Sequence, residues 1–296
     1  MSTDSHYRAS DLFDLSFMTA CVTGGGTGIG LMISQALIAN GAKVYITGRR
    51  EEVLEKTVAA HSSGPGSLHA LPGDISTKEG CLKLAKDLEA KEPKGIQLLV
   101  NNAGIARDDA TKFSANGEPE MTDAEAISTH FLRSDEVNWD DTFRTNVTGQ
   151  FFMSMACLPL LAKGNKSVEN YSSQVVNVSS ISGQLKSASG GQFSYGASKA
   201  ASTHLSRMLA TTFKDLKIRV NVIAPGIFPS EMTTGKSDEN NKSELSRDIG
   251  NPAGRGGLDS DMAATILLLA GRGGLFYNEQ ILYPDGGATL ASPAAK

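Results

Sequence analysis

The chain has 296 residues, of which 40% are hydrophobic and 20% charged, so it can bury one large core. Its net charge of −4, without a basic run, argues against a nucleic-acid partner. It holds no run of 18 apolar residues and no apolar signal core near its start, so a soluble, cytoplasmic protein without a membrane partner is expected.

Met1 to Asp14 is polar and reads as a flexible tail ahead of a single domain spanning 15–296. Phe17 to Val22 is an apolar run ending in glycines, expected as a buried strand. Ile29 to Ala39 has helical spacing, stopped by Asn40-Gly41. Lys43 to Thr47 is a second strand, Glu51 to Ala60 a helix, and Leu68 to Leu71 a third strand. Lys78 to Glu89 is an amphipathic helix closed by Pro93, and Gln97 to Val100 is a fourth strand. Ile105 to Asn138 is long, polar and mixed, and a long helix is expected from Trp139 to Leu161. Gln174 to Val178 is a fifth strand, Ser194 to Leu216 a second long helix, and Arg219 to Ile223 a sixth strand. Pro225 to Gly257 is rich in Gly, Pro and Ser. Asp259 to Leu269 is a helix and Gln280 to Tyr283 a last strand.

The strands are continuous apolar runs and alternate with helices. That pattern predicts a parallel sheet of about seven strands with helices on both faces, the doubly wound Rossmann-type α/β fold. Residues 228–256 are polar and Gly-rich and are expected to act as a lid over the substrate. Cys21, Cys81 and Cys157 have no metal-ligand spacing and read as free thiols in a reducing compartment, so no metal is expected.

Thr23-Gly24-Gly25-Gly26-Thr27-Gly28-Ile29-Gly30 joins the first strand to the first helix. A pyrophosphate needs backbone N–H groups at close range and a helix N-terminus behind them, and side chains would block its approach. Gly24, Thr27, Gly28, Ile29 and Gly30 are therefore candidate cofactor residues. A carboxylate that would bind a ribose 2′-hydroxyl is expected after the second strand. That place holds Gly48-Arg49-Arg50 instead. Two guanidiniums suit a 2′-phosphate, so NADP(H) is expected over NAD(H).

Tyr195 and Lys199 lie four apart at the start of a predicted helix and share a face. A free phenol, with a pKa of about 10, is a sluggish acid at neutral pH, and a neighbouring ammonium lowers that value. By itself such a pair is ordinary helix surface, and its weight comes from the surrounding motifs. Ser179 and Ser180 end the fifth strand and Asn101-Asn102-Ala103-Gly104 the fourth, where ligands of open parallel sheets bind. The five histidines are scattered, and none is expected to take part in the chemistry.

Together these motifs resemble the classical short-chain dehydrogenase/reductase family over about Leu15 to Leu290, in family order: Thr23 to Gly30, Asp74, Asn101 to Gly104, Asn146, Ser180, Tyr195 to Lys199, Pro225-Gly226 and Asp285-Gly286-Gly287. The resemblance implies that Tyr195 is the acid–base residue. Lys199 would lower its pKa and bind the nicotinamide ribose, Ser180 would orient the carbonyl, and Asn146 would hold a water linked to Lys199. Ser180 is chosen over Ser179 and Ser182 because Ser180-Ile181-Ser182-Gly183 fits the family's register. It further implies that Asp74 and Ile75 touch the adenine, that Asn101, Ala103 and Gly104 line the cofactor, and that Pro225, Gly226 and Ile227 bracket its carboxamide.

Leu205 to Ala210 and Asn221 to Met232 are similar to the 3-oxoacyl reductases, most of all the branch linked to rhamnolipid synthesis. This implies NADPH-dependent reduction of a 3-oxoacyl or related ketone, and a homotetramer or dimer. The stretches from Gly104 to Trp139 and from Ser180 to Tyr195 are longer than the family pattern, and both border the substrate side. The alternatives are an alcohol dehydrogenase working oxidatively and a non-catalytic dinucleotide-binding protein.

Overall fold

A strand whose two faces both find cover needs no polar alternation, and that is how the apolar runs are used. In the computed structural model, which describes residues 7–235, 237–245 and 250–292, they form β1 (Thr19–Thr23), β2 (Lys43–Thr47), β3 (Ser67–Ala70), β4 (Leu98–Asn101), β5 (Gln174–Val178), β6 (Arg219–Ile223) and β7 (Ile281–Leu282). All pair in parallel, in the order β3-β2-β1-β4-β5-β6-β7. Successive side chains point to opposite faces. Ala20, Val22, Val44, Ile46, Leu98, Val100 and Val176 enter one core with Ile33, Leu37, Met262 and Ile266. Cys21, Tyr45, Leu99, Val175 and Val220 enter a second core with Leu84, Leu88, Met153, Leu160 and Phe213.

The helices, in chain order, are α1 (Ala9–Leu12), α2 (Gly28–Ala39), α3 (Glu51–His61), α4 (Lys78–Lys91), α5 (Phe113–Asn116), α6 (Ala124–Phe131), α7 (Glu136–Phe143), α8 (Gln150–Ser167), α9 (Phe193–Phe213), α10 (Glu231–Thr234), α11 (Asp259–Ala270) and α12 (Ala288–Ala291). α2 and α11 supply the first core, and α4, α8 and α9 the second. This is the expected doubly wound fold in one domain. The strand order reverses between β1 and β4, and a crevice opens there beyond their carboxyl ends.

Three stretches differ from the sequence reading. The segment 105–138 is not featureless, since it carries α5, α6 and the start of α7. Asp123 and Asp135 cap α6 and α7 by accepting from the N–H groups of Glu125 and Ala126 and of Val137. The long helix expected over 139–161 begins at Glu136, passes through a π-helical turn at Arg144–Gly149 and runs on to Ser167. In the polar start, Ala9–Leu12 form a helical turn whose Leu12 carbonyl lies against Gly271. Residues 1–6 and 293–296 lie outside the described residues. All three cysteines are free and buried, and burial pushes the Cys21 thiol up to about 12 and Cys81 to about 11.

Candidate active site

The crevice at the sheet reversal is a cleft of about 510 Å³. At one side the turn after β1 is packed too tightly for side chains. Gly24 has φ +63° and Gly28 φ +51°, backbone that L side chains rarely adopt. A Cβ on Gly30 would stand 2.1 Å from the Gly24 carbonyl oxygen and 2.5 Å from Asn102 Nδ2. Asn102 Nδ2 donates to the carbonyls of Thr23 and Gly24, and Thr23 Oγ1 accepts from the N–H groups of Asn102 and Ala103. The turn is thereby locked onto the end of β4.

The N-terminus of α2 opens into this cleft, and Thr27 makes no side-chain cap there. Its first N–H groups and its dipole therefore face the position an anion would take. This donor set fits a dinucleotide diphosphate, with Gly24, Thr27, Gly28 and Ile29 along the lining. Arg49, Arg50, Asp74, Ile75, Ala103 and Gly104 line the same cleft. Arg50 is ion-paired with Glu231 at 2.8 Å.

At the other end stand Tyr195 and Lys199, one turn apart on α9. Lys199 Nζ donates to the Val178 carbonyl at 2.9 Å, where β5 ends, and lies 5.7 Å from the centroid of the Tyr195 ring. Ser179 Oγ binds the Lys199 carbonyl and Thr203, which ties α9 to the strand end. Ser180 Oγ accepts from the Ser182 N–H and lies beside the Tyr195 phenol. Ser179 is thus spent on packing, and Ser180 is the serine beside the phenol.

Burial pushes the phenol of Tyr195 above its ordinary value, with the Ser180 hydrogen bond acting against it. This differs from the lowering expected from sequence. The Lys199 ammonium is turned to the Val178 carbonyl and sits beside the ring, and its own pKa is lowered to about 8 by burial. In this arrangement the phenol is held protonated at neutral pH and can act as a proton donor.

Asn146 lies in the π-helical turn. Its Oδ1 accepts from the Ile105 N–H, and its Nδ2 donates to the Ile105 carbonyl and Ser198 Oγ. Asn146 Oδ1 and Lys199 Nζ flank Gly104, at 3.1 and 3.2 Å from where its Cβ would be. A π turn often marks a functional position in a helix, and this one aims Asn146 at the lysine's end of the cleft.

Not every expected residue lines the cleft. Gly30 is the packing contact under it. Asn101, the last residue of β4, points into the sheet and donates to Ser154 Oγ and Asn177 Oδ1. Pro225 accepts from the Ile181 N–H, and Gly226 is pressed against Asp285. Ile227 lines a separate cavity of about 410 Å³ with Phe228 and Tyr283. Within the expected lid, Phe228 is buried in the first core, while Ser230, Glu231 and Met232 line the cleft. Residues 236 and 246–249 lie outside the described residues.

The profile of the family described as short chain dehydrogenase matches residues 18–241. The chain belongs to the short-chain dehydrogenase/reductase family. It is similar to the short-chain dehydrogenase/reductase PhomF of Diaporthe leptostromiformis, with 41% identity covering 97% of this chain and 96% of that one. It is also similar to the rhamnolipids biosynthesis 3-oxoacyl-[acyl-carrier-protein] reductase of Pseudomonas aeruginosa, with 37% identity covering 94% and 98%. Among solved structures, the Pseudomonas aeruginosa RhlG/NADP active-site complex matches with TM-score 0.77 and 32% identity, covering 94% of this chain and 98% of that one. As a member of this family the chain is an oxidoreductase that uses a nicotinamide dinucleotide and acts on a small-molecule carbonyl substrate. Among the described residues no helix is long and apolar enough to cross a membrane.

Within the Asn101 to Gly104 run, sequence reasoning singled out Asn101 for the cofactor, whereas Asn102 is the one that faces the cleft. Two further residues of this dehydrogenase/reductase site were missed. Asp108 is buried, and its carboxylate accepts from the N–H groups of Ser194 and Tyr195 and from Ser194 Oγ. Glu231 reaches Arg50 across 181 positions of sequence, which no local pattern signals.

Proposed function

We propose that the chain is an NADPH-dependent carbonyl reductase that converts a ketone, of 3-oxoacyl or related kind, to a secondary alcohol. The observation that carries this reading is the convergence on one cleft of the diphosphate-ready turn, two arginines, Tyr195 and Lys199, with Ser180 beside the phenol. The relationship to the Pseudomonas aeruginosa 3-oxoacyl reductase supports the substrate class. Arg49 and Arg50 support NADP(H) over NAD(H), because a 2′-phosphate is the group a pair of guanidiniums suits.

The bound dinucleotide supplies the hydride that the carbonyl carbon accepts. Ser180 and Tyr195 orient the carbonyl oxygen by hydrogen bonding. Tyr195, held protonated, gives its proton to that oxygen as the alcohol forms. Lys199 stabilises the phenolate left behind and passes a proton back to it, with Asn146 beside the lysine on the path to solvent. Gly24, Thr27, Gly28 and Ile29, with Gly30 packed beneath them, would hold the diphosphate, and Asp74, Ile75, Ala103 and Gly104 the middle of the cofactor. The proposal extends to a homotetramer in the cytoplasm, for which the exposed Phe151 of α8 and Met208 of α9 are the available apolar support.

The test is oxidation of NADPH and of NADH with a panel of ketones and 3-oxoacyl thioesters. Tyr195→Phe should lower kcat by about 10²–10⁴-fold, the ordinary contribution of a general acid, with cofactor affinity little changed. Full turnover by that variant rejects the assignment.

A further inference from the structure

The segment that follows β6 is fastened to α3, the helix that begins just after Arg49 and Arg50. Arg50 Nη2 and Nη1 reach Glu231 Oε2 and Oε1 at 2.8 and 3.4 Å, a two-pronged contact. His61 Nε2 meets the Asn240 carbonyl, and Asn241, itself buried, donates to Thr57 Oγ1 and the Val53 carbonyl. One turn ahead of these contacts, Ser230 is set against the mouth of the diphosphate turn: its Cβ is 2.9 Å from where a Cβ on Gly28 would be. Glu231 is thus placed in the cleft by fixed neighbours on both sides and is not a passing surface contact. Its other oxygen partner is Ser237 Oγ at 2.7 Å, and these donors hold its carboxyl below the ordinary carboxylate range, so it is charged at neutral pH.

Arg50 is one of the two guanidiniums offered to a 2′-phosphate, and its fork is occupied by a carboxylate of this same chain. We infer that Glu231 is a cofactor-specificity residue, which competes with the 2′-phosphate of NADP(H) for Arg50 and so narrows the preference that Arg49 and Arg50 create. The inference rests on the reading of Arg49 and Arg50 as the 2′-phosphate site. A ligand with the phosphate has to take Arg50 from Glu231 and then lie near that carboxylate, whereas a ligand with a free 2′-hydroxyl leaves the pair intact. The pair is partly exposed, 55% for the Arg50 side chain and 35% for Glu231, so the competition is a matter of several-fold and not of orders of magnitude.

The probes are adenosine 2′,5′-bisphosphate and AMP, which differ only in the 2′-phosphate, titrated calorimetrically into the wild-type protein and Glu231→Gln. The amide keeps the size of the side chain and removes its charge. The variant should bind the bisphosphate about five- to tenfold more tightly, while AMP affinity stays within about twofold. Adding Arg50→Ala to Glu231→Gln should abolish that gain. An unchanged or smaller ratio of bisphosphate to AMP affinity in Glu231→Gln overturns the inference. The NADP(H) reading stands or falls separately, on whether the wild-type protein prefers the bisphosphate at all. If it does not and Glu231→Gln does, the competition is supported and the native cofactor is NAD(H).

Discussion

The two sides of the cleft are built by different means. On the diphosphate side, the turn after β1 works by absence: Gly24 and Gly28 take positive φ, and Gly30 leaves room that a Cβ would fill. On the substrate side, the segment after β4 works by presence. Asp108 holds the start of α9, Thr111 Oγ1 donates to the Gly191 carbonyl, the Phe113 N–H donates to the Gly190 carbonyl, and the rings pack edge to face in the pairs Phe113–His130, His130–Phe131 and Phe131–Phe193. A site made from backbone is intolerant of any added atom. A site made from side-chain contacts yields gradually, one bond at a time. The segments 105–138 and 181–194 meet each other through Thr111, Phe113, Gly190 and Gly191, on the side that side chains can rebuild.

The most damaging change expected is therefore Gly30→Ala. Its Cβ would overlap the Gly24 carbonyl, which belongs to the turn itself and cannot swing aside. Overpacking of this kind costs about 3 kcal/mol or more when backbone has to move. The expected outcome is loss of dinucleotide binding, measured by fluorescence titration, with a lowered melting temperature. Gly26→Ala is the matched control, because its Cβ would meet only side-chain atoms, the nearest of them Leu54 Cδ2 at 3.2 Å and Val53 Cγ1 at 3.4 Å. Equal behaviour of the two variants breaks the distinction between the two sides.

Next comes Lys199, where the two sides meet. Burial holds its pKa at about 8, against about 10.4 in an unfolded chain. Between those values the unfolded state binds more protons than the folded one, so stability rises with pH across that window. The cost of keeping the ammonium buried is fully present below pH 8 and is relieved as pH climbs toward 10.4. Lys199 is 3% exposed, so little solvent screening applies. The cost is on the order of 3 kcal/mol. Lys199→Met should be inactive yet gain stability near pH 7, less the lost bond to Val178. Its lead over the wild-type protein should shrink steadily between pH 8 and 10.4 in denaturant titrations. A lead that does not vary with pH would mean the lysine is not titrating in that range. On the proposed mechanism the rate of carbonyl reduction should also fall above about pH 8, as Lys199 loses the proton it would return to Tyr195.

How much of this was legible in the sequence follows from the same division. Continuous apolar runs such as Leu98–Val100 and Val44–Ile46 signalled strands covered on both faces, and the parallel order followed from the helices between them. Backbone requirements leave a composition trace, so the turn at Gly24–Gly30 was visible as glycines between a strand and a helix. Tyr195 and Lys199 were visible because a helix converts a spacing of four into a shared face. The sequence hid what depends on distant partners. Helices α5 and α6 are short and polar and rest on caps and aromatic contacts, which create no long apolar period. The π turn that aims Asn146 adds no residue type that marks it. The phenol of Tyr195 is shifted by burial, and burial is a property of the whole fold.

The smallest effect expected is at Asp108, and it is the one that speaks most directly to the substrate side. Its carboxylate lies 86 positions from Ser194 and 87 from Tyr195, yet it accepts both of their N–H groups, at 3.0 and 3.1 Å, and the Ser194 hydroxyl at 2.9 Å. It does the work of an N-terminal cap for α9 from another part of the chain, since Gln192 at the cap position makes no side-chain bond. Asp108→Ala leaves those donors buried without a partner, a loss of about 1–3 kcal/mol. Asp108→Asn keeps the volume but turns an amide N–H toward a donor, so it should recover only part of that loss. A residue that merely stabilised the fold would lower the melting temperature and leave turnover per folded molecule intact. One that positions Tyr195 should lower kcat per folded enzyme, while the affinity for the dinucleotide, held on the opposite side of the cleft, stays where it was. If kcat and cofactor affinity fall together, the two sides are not separable, and the inserted segment supports the whole cleft instead of one wall of it.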